Sequence, residues 1–242
     1  MKKNHLLSYA LCLTVLVQSA ALAFPTAFIS IDAATLFAQP GQTQAVTLLN
    51  TLGNTYILKK EWQHDENVVL GAGIRTFKHN DVEINTSARY LPQVAMPIRG
   101  DVLQLHAEAF RNLSYNYDIT SSFWLADNII TWTKHRLQPG IILGIGAAMN
   151  TASTFREKAL NNHSAPSFSP FENANNTQLA YELGAVLDYT FDEVVLECAY
   201  RYLNAGQTYL GLSALQNTNN HLSTGPLTYN AISLGVRYHH EF

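Results

Sequence analysis

Charged residues are where chemistry would be sought first, and in this chain they fall on a pattern. Asp32, Arg75, Glu83, Arg89, Glu182, Asp188, Glu197, Arg201, Arg237 and Glu241 all stand in segments where apolar and polar residues alternate, each on the polar parity. Carboxylates gathered in one place can act as a general acid and base pair. Carboxylates interleaved with arginines have a plainer use, because charges removed from bulk water pair with one another. The second reading is preferred here.

Histidines are the other candidates. His64, His106, His135, His163, His221, His239 and His240 supply imidazoles, and serines are plentiful. None falls in a spacing that marks a nucleophile, base and carboxylate set, which is recognised by geometry and not by sequence position. His79-x-Asp81 and His239-His240 offer two metal ligands each, and two ligands do not make a site. No metal or cofactor is expected. Cys198 lies on an apolar parity and reads as a small apolar side chain.

The elements that must hold these residues read as strands. Successive side chains of a strand point to opposite faces, so strict alternation marks one face as apolar. A first strand runs over 27–38, a second over 67–78 and a third over 81–91. A fourth lies within 113–133, a fifth over 141–151, a sixth over 177–191, a seventh over 194–205 and an eighth over 229–242. The fourth is irregular: Tyr115, Tyr117, Ile119, Phe123 and Leu125 share one parity, Ile130 and Trp132 the other. One extra residue would switch the faces, so a bulge is expected near Asp127-Asn128. Tight turns are expected at His79-Asn80, Leu137–Gly140 and Asp192-Glu193, and long connections at 39–66, 92–112, 152–176 and 206–228. Tyr56–Trp62 and Val102–Phe110 have some alternation of their own and are candidates for strand extensions.

Long and short connections therefore alternate, as they do in an up-and-down meander with tight turns at one rim and extended loops at the other. The apolar face of nearly every strand is bounded by Tyr, Phe or Trp, while the opposite face carries Gly, Ala, Ser and full charges. A sandwich in water would bury its apolar face and leave the charges outside. In a membrane the pattern inverts: apolar residues face lipid, aromatics mark the two interfaces, and small and charged residues fill the lumen.

The ends of the chain agree with export. Lys2 and Lys3, an apolar run from Leu6 to Val17 and Ala21-Leu22-Ala23 make the charged, hydrophobic and small-residue order of a signal peptide cleaved after Ala23. Loss of Lys2 and Lys3 with that segment takes the formal net charge from −3 to −5, and no basic run points to nucleic acid as a partner. Of the two cysteines only Cys198 remains after cleavage, which excludes an internal disulfide. At the other end, Tyr229 to Phe242 alternates Ile232, Leu234, Val236, Tyr238 and Phe242 against Ala231, Ser233, Gly235, Arg237, His239 and Glu241, and stops on an aromatic.

That terminal strand, the signal peptide and the alternating segments between them resemble the small outer-membrane β-barrel proteins of Gram-negative bacteria. The likeness is to the eight-stranded superfamily that includes the barrel domain of outer membrane protein A. His240, on a face otherwise apolar, and the fourth strand depart from the pattern. The resemblance implies an all-β chain forming an eight-stranded antiparallel up-and-down transmembrane barrel over residues 24–242, after a signal peptide at 1–23. It implies Tyr238 and Phe242 as an assembly signal read by the barrel-assembly machinery. It further implies outer-membrane lipid and lipopolysaccharide as surroundings; with no long soluble extension, a peptidoglycan-binding domain of the kind some relatives append is not expected. The function expected is structural or surface interaction through the long extracellular loops. A narrow pore for small solutes is the alternative, and a lipid A-modifying enzyme is less favoured still. In so small a barrel the ten charged positions, ion-paired, would fill the interior and obstruct free diffusion.

Overall fold

The computed structural model describes residues 26–48, 52–160, 170–213 and 220–241; residues 1–23, expected to be a signal peptide, and Phe242 lie outside them. Its strands in chain order are β1 (Thr26–Ala38), β2 (Gln44–Leu48), β3 (Leu52–Leu58), β4 (Gln63–His79), β5 (Val82–Gln104) and β6 (Arg111–Trp132). They continue as β7 (Leu137–Ala159), β8 (Phe171–Glu172), β9 (Ala174–Phe191), β10 (Val194–Tyr209), β11 (Gly211–Leu212) and β12 (Ser223–Glu241).

Eight of these close a ring. Antiparallel pairing runs β1–β4–β5–β6–β7–β9–β10–β12, and β12 returns to β1 in an unbroken register from Thr26↔Glu241 to Ala38↔Tyr229. Closure pairs the strand edges with one another, which hydrocarbon demands because it offers no hydrogen bonds of its own. Above Leu70 the β4–β5 ladder gives way. There the Asp65 carboxylate accepts from the Ala95 N–H at 2.8 Å, and the Asn67 amide donates to the Gln93 carbonyl at 3.1 Å.

One rim is made of short connections. Asn80 (φ 51°) and Asp192 (φ 49°) take the left-handed conformation there, which Asn and Asp tolerate better than other side chains. The opposite rim is built up into a crown. The strands themselves continue through much of the sequence expected to be loop: β5 reaches Gln104, β6 begins at Arg111, and β7 reaches Ala159. The β2–β3 hairpin then adds to the extended edge of β5, through Asn54↔Gln104 to Leu58↔Gly100. The 39–66 and 92–112 segments are therefore largely wall. Their polar, Pro-containing sequence reads as loop because this wall stands above the lipid, where an apolar outer face has no purpose.

Parity assigns the faces. Ile29 and Leu234 are each 65% exposed, and Ile31, Val68, Leu70, Ile145, Leu179, Leu183, Leu196 and Ile232 are exposed with them. Nothing among the described residues covers this belt. Outward aromatics bound it: Phe37, Trp124, Tyr181 and Tyr200 toward the crown, and Phe77, Trp132, Phe191 and Tyr238 toward the short-turn rim. Trp124 and Trp132 are eight positions apart on β6, a separation of about 26 Å along a strand that tilts in the membrane. At a tilt of about 40° that spans about 20 Å of depth, most of the roughly 25 Å apolar band of an outer-membrane barrel.

The bulge expected near Asp127-Asn128 is absent. β6 pairs with β5 without a shift from Val82↔Trp132 to Leu91↔Phe123, and with β7 without a shift from Asp118↔Ser153 to Thr131↔Gly140. Its alternation is single throughout: Leu113, Tyr115, Tyr117, Ile119, Phe123 and Leu125 are buried inside the barrel, and Trp124 and Trp132 face out. The inference failed because it took apolar to mean lipid-facing, whereas the upper interior of this barrel is itself apolar. The shifts in the ladders of β6 lie elsewhere, at Leu91/Val94 and Val102/Leu103 against β5 and at Asn116/Asp118 against β7.

Candidate functional site: a lumen filled in two layers

The lower interior is ionic. Arg201 sits at its middle, 2% exposed, with Nη1 donating to Glu182 Oε1 at 2.5 Å and Nη2 to Glu197 Oε1 at 2.6 Å. Arg89 Nη1 donates to Asp127 Oδ2 and to Glu182 Oε1, both at 3.0 Å, and its Nη2 lies 3.8 Å from Asp32 Oδ2. Arg237 Nη1 donates to Asp188 Oδ2 at 3.3 Å, and Nη2 to Glu197 Oε2. Glu197 thereby joins two guanidiniums, and Glu182 joins two as well. Charge-assisted forks of this kind are the strongest hydrogen bonds a side chain makes.

Nearer the short-turn rim a smaller group forms. Arg75 Nε lies 2.9 Å from Glu83 Oε2, which Lys78 also approaches at 3.6 Å, while the Asn85 amide donates to Glu83 Oε1 at 2.8 Å. The Phe28 ring stacks under the Arg237 guanidinium at 5.3 Å and meets His239 at 5.3 Å. Glu241 ends β12 opposite Thr26. Of the sequence-derived charged positions, Asp32, Arg89, Glu182, Asp188, Glu197, Arg201 and Arg237 meet in the central cluster, and Arg75 and Glu83 in this one. The residue missed was Asp127, fully buried against Arg89. Its parity with Leu125 and Ile129 was the available signal, and the expected bulge concealed it.

Two glycines make room for the carboxylates. A Cβ on Gly235 would lie 1.8 Å from Asp32 Oδ1, and one on Gly144 would lie 2.3 Å from Asp127 Oδ1. These two oxygens have no hydrogen-bond partner among the described residues. They rest instead against bare backbone, where Cα–H groups give weak polar contact. Three guanidiniums thus face five carboxylates in the central cluster, which makes each arginine harder to replace than any single acid.

Above the ionic layer the lumen turns apolar. A cavity of about 10 Å³, room for a single water, marks the boundary between Arg89, Glu182 and Arg201 below and Leu36, Leu125 and Leu203 above. Higher still, Ser121 donates to Asn150 Oδ1 at 2.7 Å and shares a hydrogen bond with the Tyr229 hydroxyl at 2.9 Å. The crown then closes on an aromatic cluster. Tyr56 packs edge-on against Tyr115 (5.2 Å) and Phe171 (5.6 Å), and Phe155 against Phe171 (5.0 Å). Tyr56 comes from β3, so the hairpin, itself part of the wall, caps the barrel mouth with this inward side chain. Its far strand is tied to the start of β12 by Gln44, which donates to the His221 carbonyl at 2.7 Å and accepts from Ser223 N–H at 2.9 Å.

One acid stands among those rings. The Tyr56 hydroxyl donates to Glu157 Oε1 at 2.9 Å. Glu157 lies on β7 ten positions beyond Ala147, the partner of Trp124, and so above the lipid. Burial holds its carboxyl above the ordinary value of 4.5, against the opposing effect of the Tyr56 hydrogen bond. A carboxyl raised on folding favours the neutral form, so its contribution is whole below the unfolded value and is lost as pH rises through the folded one. The cap is therefore expected to open more readily at about pH 8 than at about pH 5. Amide hydrogen exchange in β3, corrected for intrinsic rate, reads this directly. Glu157→Gln should flatten the dependence, and a dependence that persists in that variant would assign it to another group.

The histidines stay apart. His106 Nδ1 meets the Thr55 hydroxyl at 2.8 Å with no ion pair to a carboxylate among the described residues, His221 bonds the Leu210 carbonyl, His239 packs against Phe28, and His163 is outside the described residues. Among the described residues no group of three His, Cys, Asp or Glu is placed to hold a metal ion.

No protein-family model and no curated protein matches the chain. Solved structures similar to it include Neisserial surface protein A, 15% identical over 89% of this chain and 97% of that one, with a TM-score of 0.43. OprG from Pseudomonas aeruginosa is 15% identical over 89% and 96%, with a TM-score of 0.47. Ail of Yersinia pestis is 13% identical over 90% and 99%, with a TM-score of 0.40. Likeness of this depth concerns architecture alone, and the weight falls on the ring's own pairing, its bare apolar belt and its charged interior. The chain is a small eight-stranded transmembrane β-barrel of the outer-membrane type.

Proposed function

We propose that this barrel is a closed scaffold for its extracellular crown, acting through structure and surface contact and not through transport or catalysis. The observation that supports this most is the double obstruction of the lumen, by buried ion pairs in the lower half and by buried aliphatic and aromatic side chains from Leu36 to Phe171 in the upper. Either layer alone obstructs diffusion. Loops and strand extensions on such a rigid base are where partners are met.

Lipopolysaccharide and outer-membrane lipid are its surroundings on this reading. The last strand, with Tyr238 and Phe242, is the segment the barrel-assembly machinery would engage. Planar-bilayer recording of the refolded protein tests the proposal: no resolvable current steps are expected at any holding potential. Steady single-channel currents in the unmodified protein would replace the scaffold with a pore.

A further inference from the structure

Where the wall rises above the aromatic girdle, its outer face carries an ordered row of cations. Arg99 of β5 pairs with Asn116 of β6, and Asn116 pairs with Arg156 of β7, so the three lie side by side on adjacent strands. Inward positions alternate with them: Ile98 and Gly100 on β5, Tyr115 and Tyr117 on β6 and Phe155 on β7 are buried, whereas Arg99 and Arg156 are exposed. Lys158, two positions beyond Arg156, shares its face and is exposed as well. None of these three cationic side chains has an acidic partner among the described residues. Nearby acids are otherwise engaged: Asp101 is held by Lys59 at 3.1 Å, and Asp118 accepts from the Thr154 hydroxyl at 2.5 Å.

Two arginines one strand apart have Cα atoms separated by about 10 Å, close enough for both side chains to converge on one anion over the Asn116 amide. Phosphate is the anion whose geometry guanidiniums match best. The row looks sideways from the wall, not upward from the crown. It continues the lipid-facing surface of β6 past Trp124 by way of Ser122 and Thr120, so whatever it meets rises out of the outer leaflet. We propose that Arg99, Asn116, Arg156 and Lys158 form a binding site for the phosphorylated saccharide of lipopolysaccharide. The site names one contact of the scaffold's surroundings. It rests on the orientation of the barrel in the outer leaflet and is independent of whether the lumen conducts.

The test uses the full barrel refolded into nanodiscs of neutral phospholipid, titrated with purified rough lipopolysaccharide. Parallel titrations use the same material after chemical dephosphorylation, and inorganic pyrophosphate. Arg99→Ala combined with Arg156→Ala is expected to weaken binding of the phosphorylated lipid at least tenfold, with heat-modifiable migration unchanged because neither side chain holds the fold. Asp118→Asn should tighten binding by removing a negative charge two positions from Asn116 on the same face. The control removes two cations from the short-turn rim, Lys134→Ala with Arg136→Ala, and should leave affinity unchanged. Equal loss in that control, or equal affinity for the dephosphorylated lipid, would each overturn the proposal. Pyrophosphate competing as well as the whole lipid would reduce the site to a general phosphate site and overturn the saccharide part.

Discussion

Arg201→Ala is expected to be the most damaging single change in the lumen, at about 3 to 5 kcal/mol. Its guanidinium reaches Glu182 at 2.5 Å, Glu197 at 2.6 Å and Asp127 at 4.0 Å, and all four groups are shut away from water by the wall and by the apolar layer above. Without it, Glu182 keeps Arg89 and Glu197 keeps Arg237, but five carboxylates then face two cations. Glu182→Ala should cost less, because Arg201 retains Glu197 and Asp127 while Arg89 retains Asp127 and Asp32. The double variant should be milder than the sum of the two, since either removal alone already breaks the Glu182–Arg201 pair. Urea unfolding from lipid vesicles, followed by tryptophan fluorescence and gel mobility, measures all three. Additive effects, or Glu182→Ala exceeding Arg201→Ala, would mean that water reaches the cluster and that the charge imbalance does not govern it.

The asymmetry between acids and arginines was not legible in the sequence, although much beneath it was. Where strands cross lipid, parity follows from the outside: Leu179, Leu183 and Leu187 must face hydrocarbon, so Glu182 and Asp188 must not. A tight turn then sets the register. Asp192-Glu193 brings Arg201 opposite Gly184 and Leu203 opposite Glu182, which leaves Glu182 and Arg201 diagonal on one face. The same reasoning fails above the lipid. There the outer face meets water and the inner face meets the aromatic plug, so the hydrophobic signal of β6 reverses between Leu125 and Ile130 with no change in the backbone. Asp127, at that reversal, was lost to the reading. The cap was hidden for a related reason, since β2 and β3 are short and bury single residues, Val46 and Tyr56, instead of a face.

Gly235→Ala should behave unlike most glycine replacements in strands, which relieve flexibility and add packing. Gly235 stands in one row between Asp32 of β1 and Glu197 of β10, facing the lumen. A Cβ there would lie 1.8 Å from Asp32 Oδ1, 2.7 Å from its Cγ and 3.1 Å from its Cβ, so rotation of the carboxylate alone does not clear it. Overpacking in a closed core costs about 1 to 3 kcal/mol, and here it also pushes Asp32 away from Arg89, already its longest ion pair at 3.8 Å. Asp32 is, however, one of the surplus acids. Asp32→Ala alone should therefore be mild, and added to Gly235→Ala it should restore most of the lost stability by vacating the space the new methyl needs. Refolding yield and urea midpoint in the four-member cycle decide the matter. If the double variant is as unstable as the two single losses combined, steric conflict at Asp32 is not the reason position 235 is glycine, and Asp32 holds Arg89 more firmly than its distance implies.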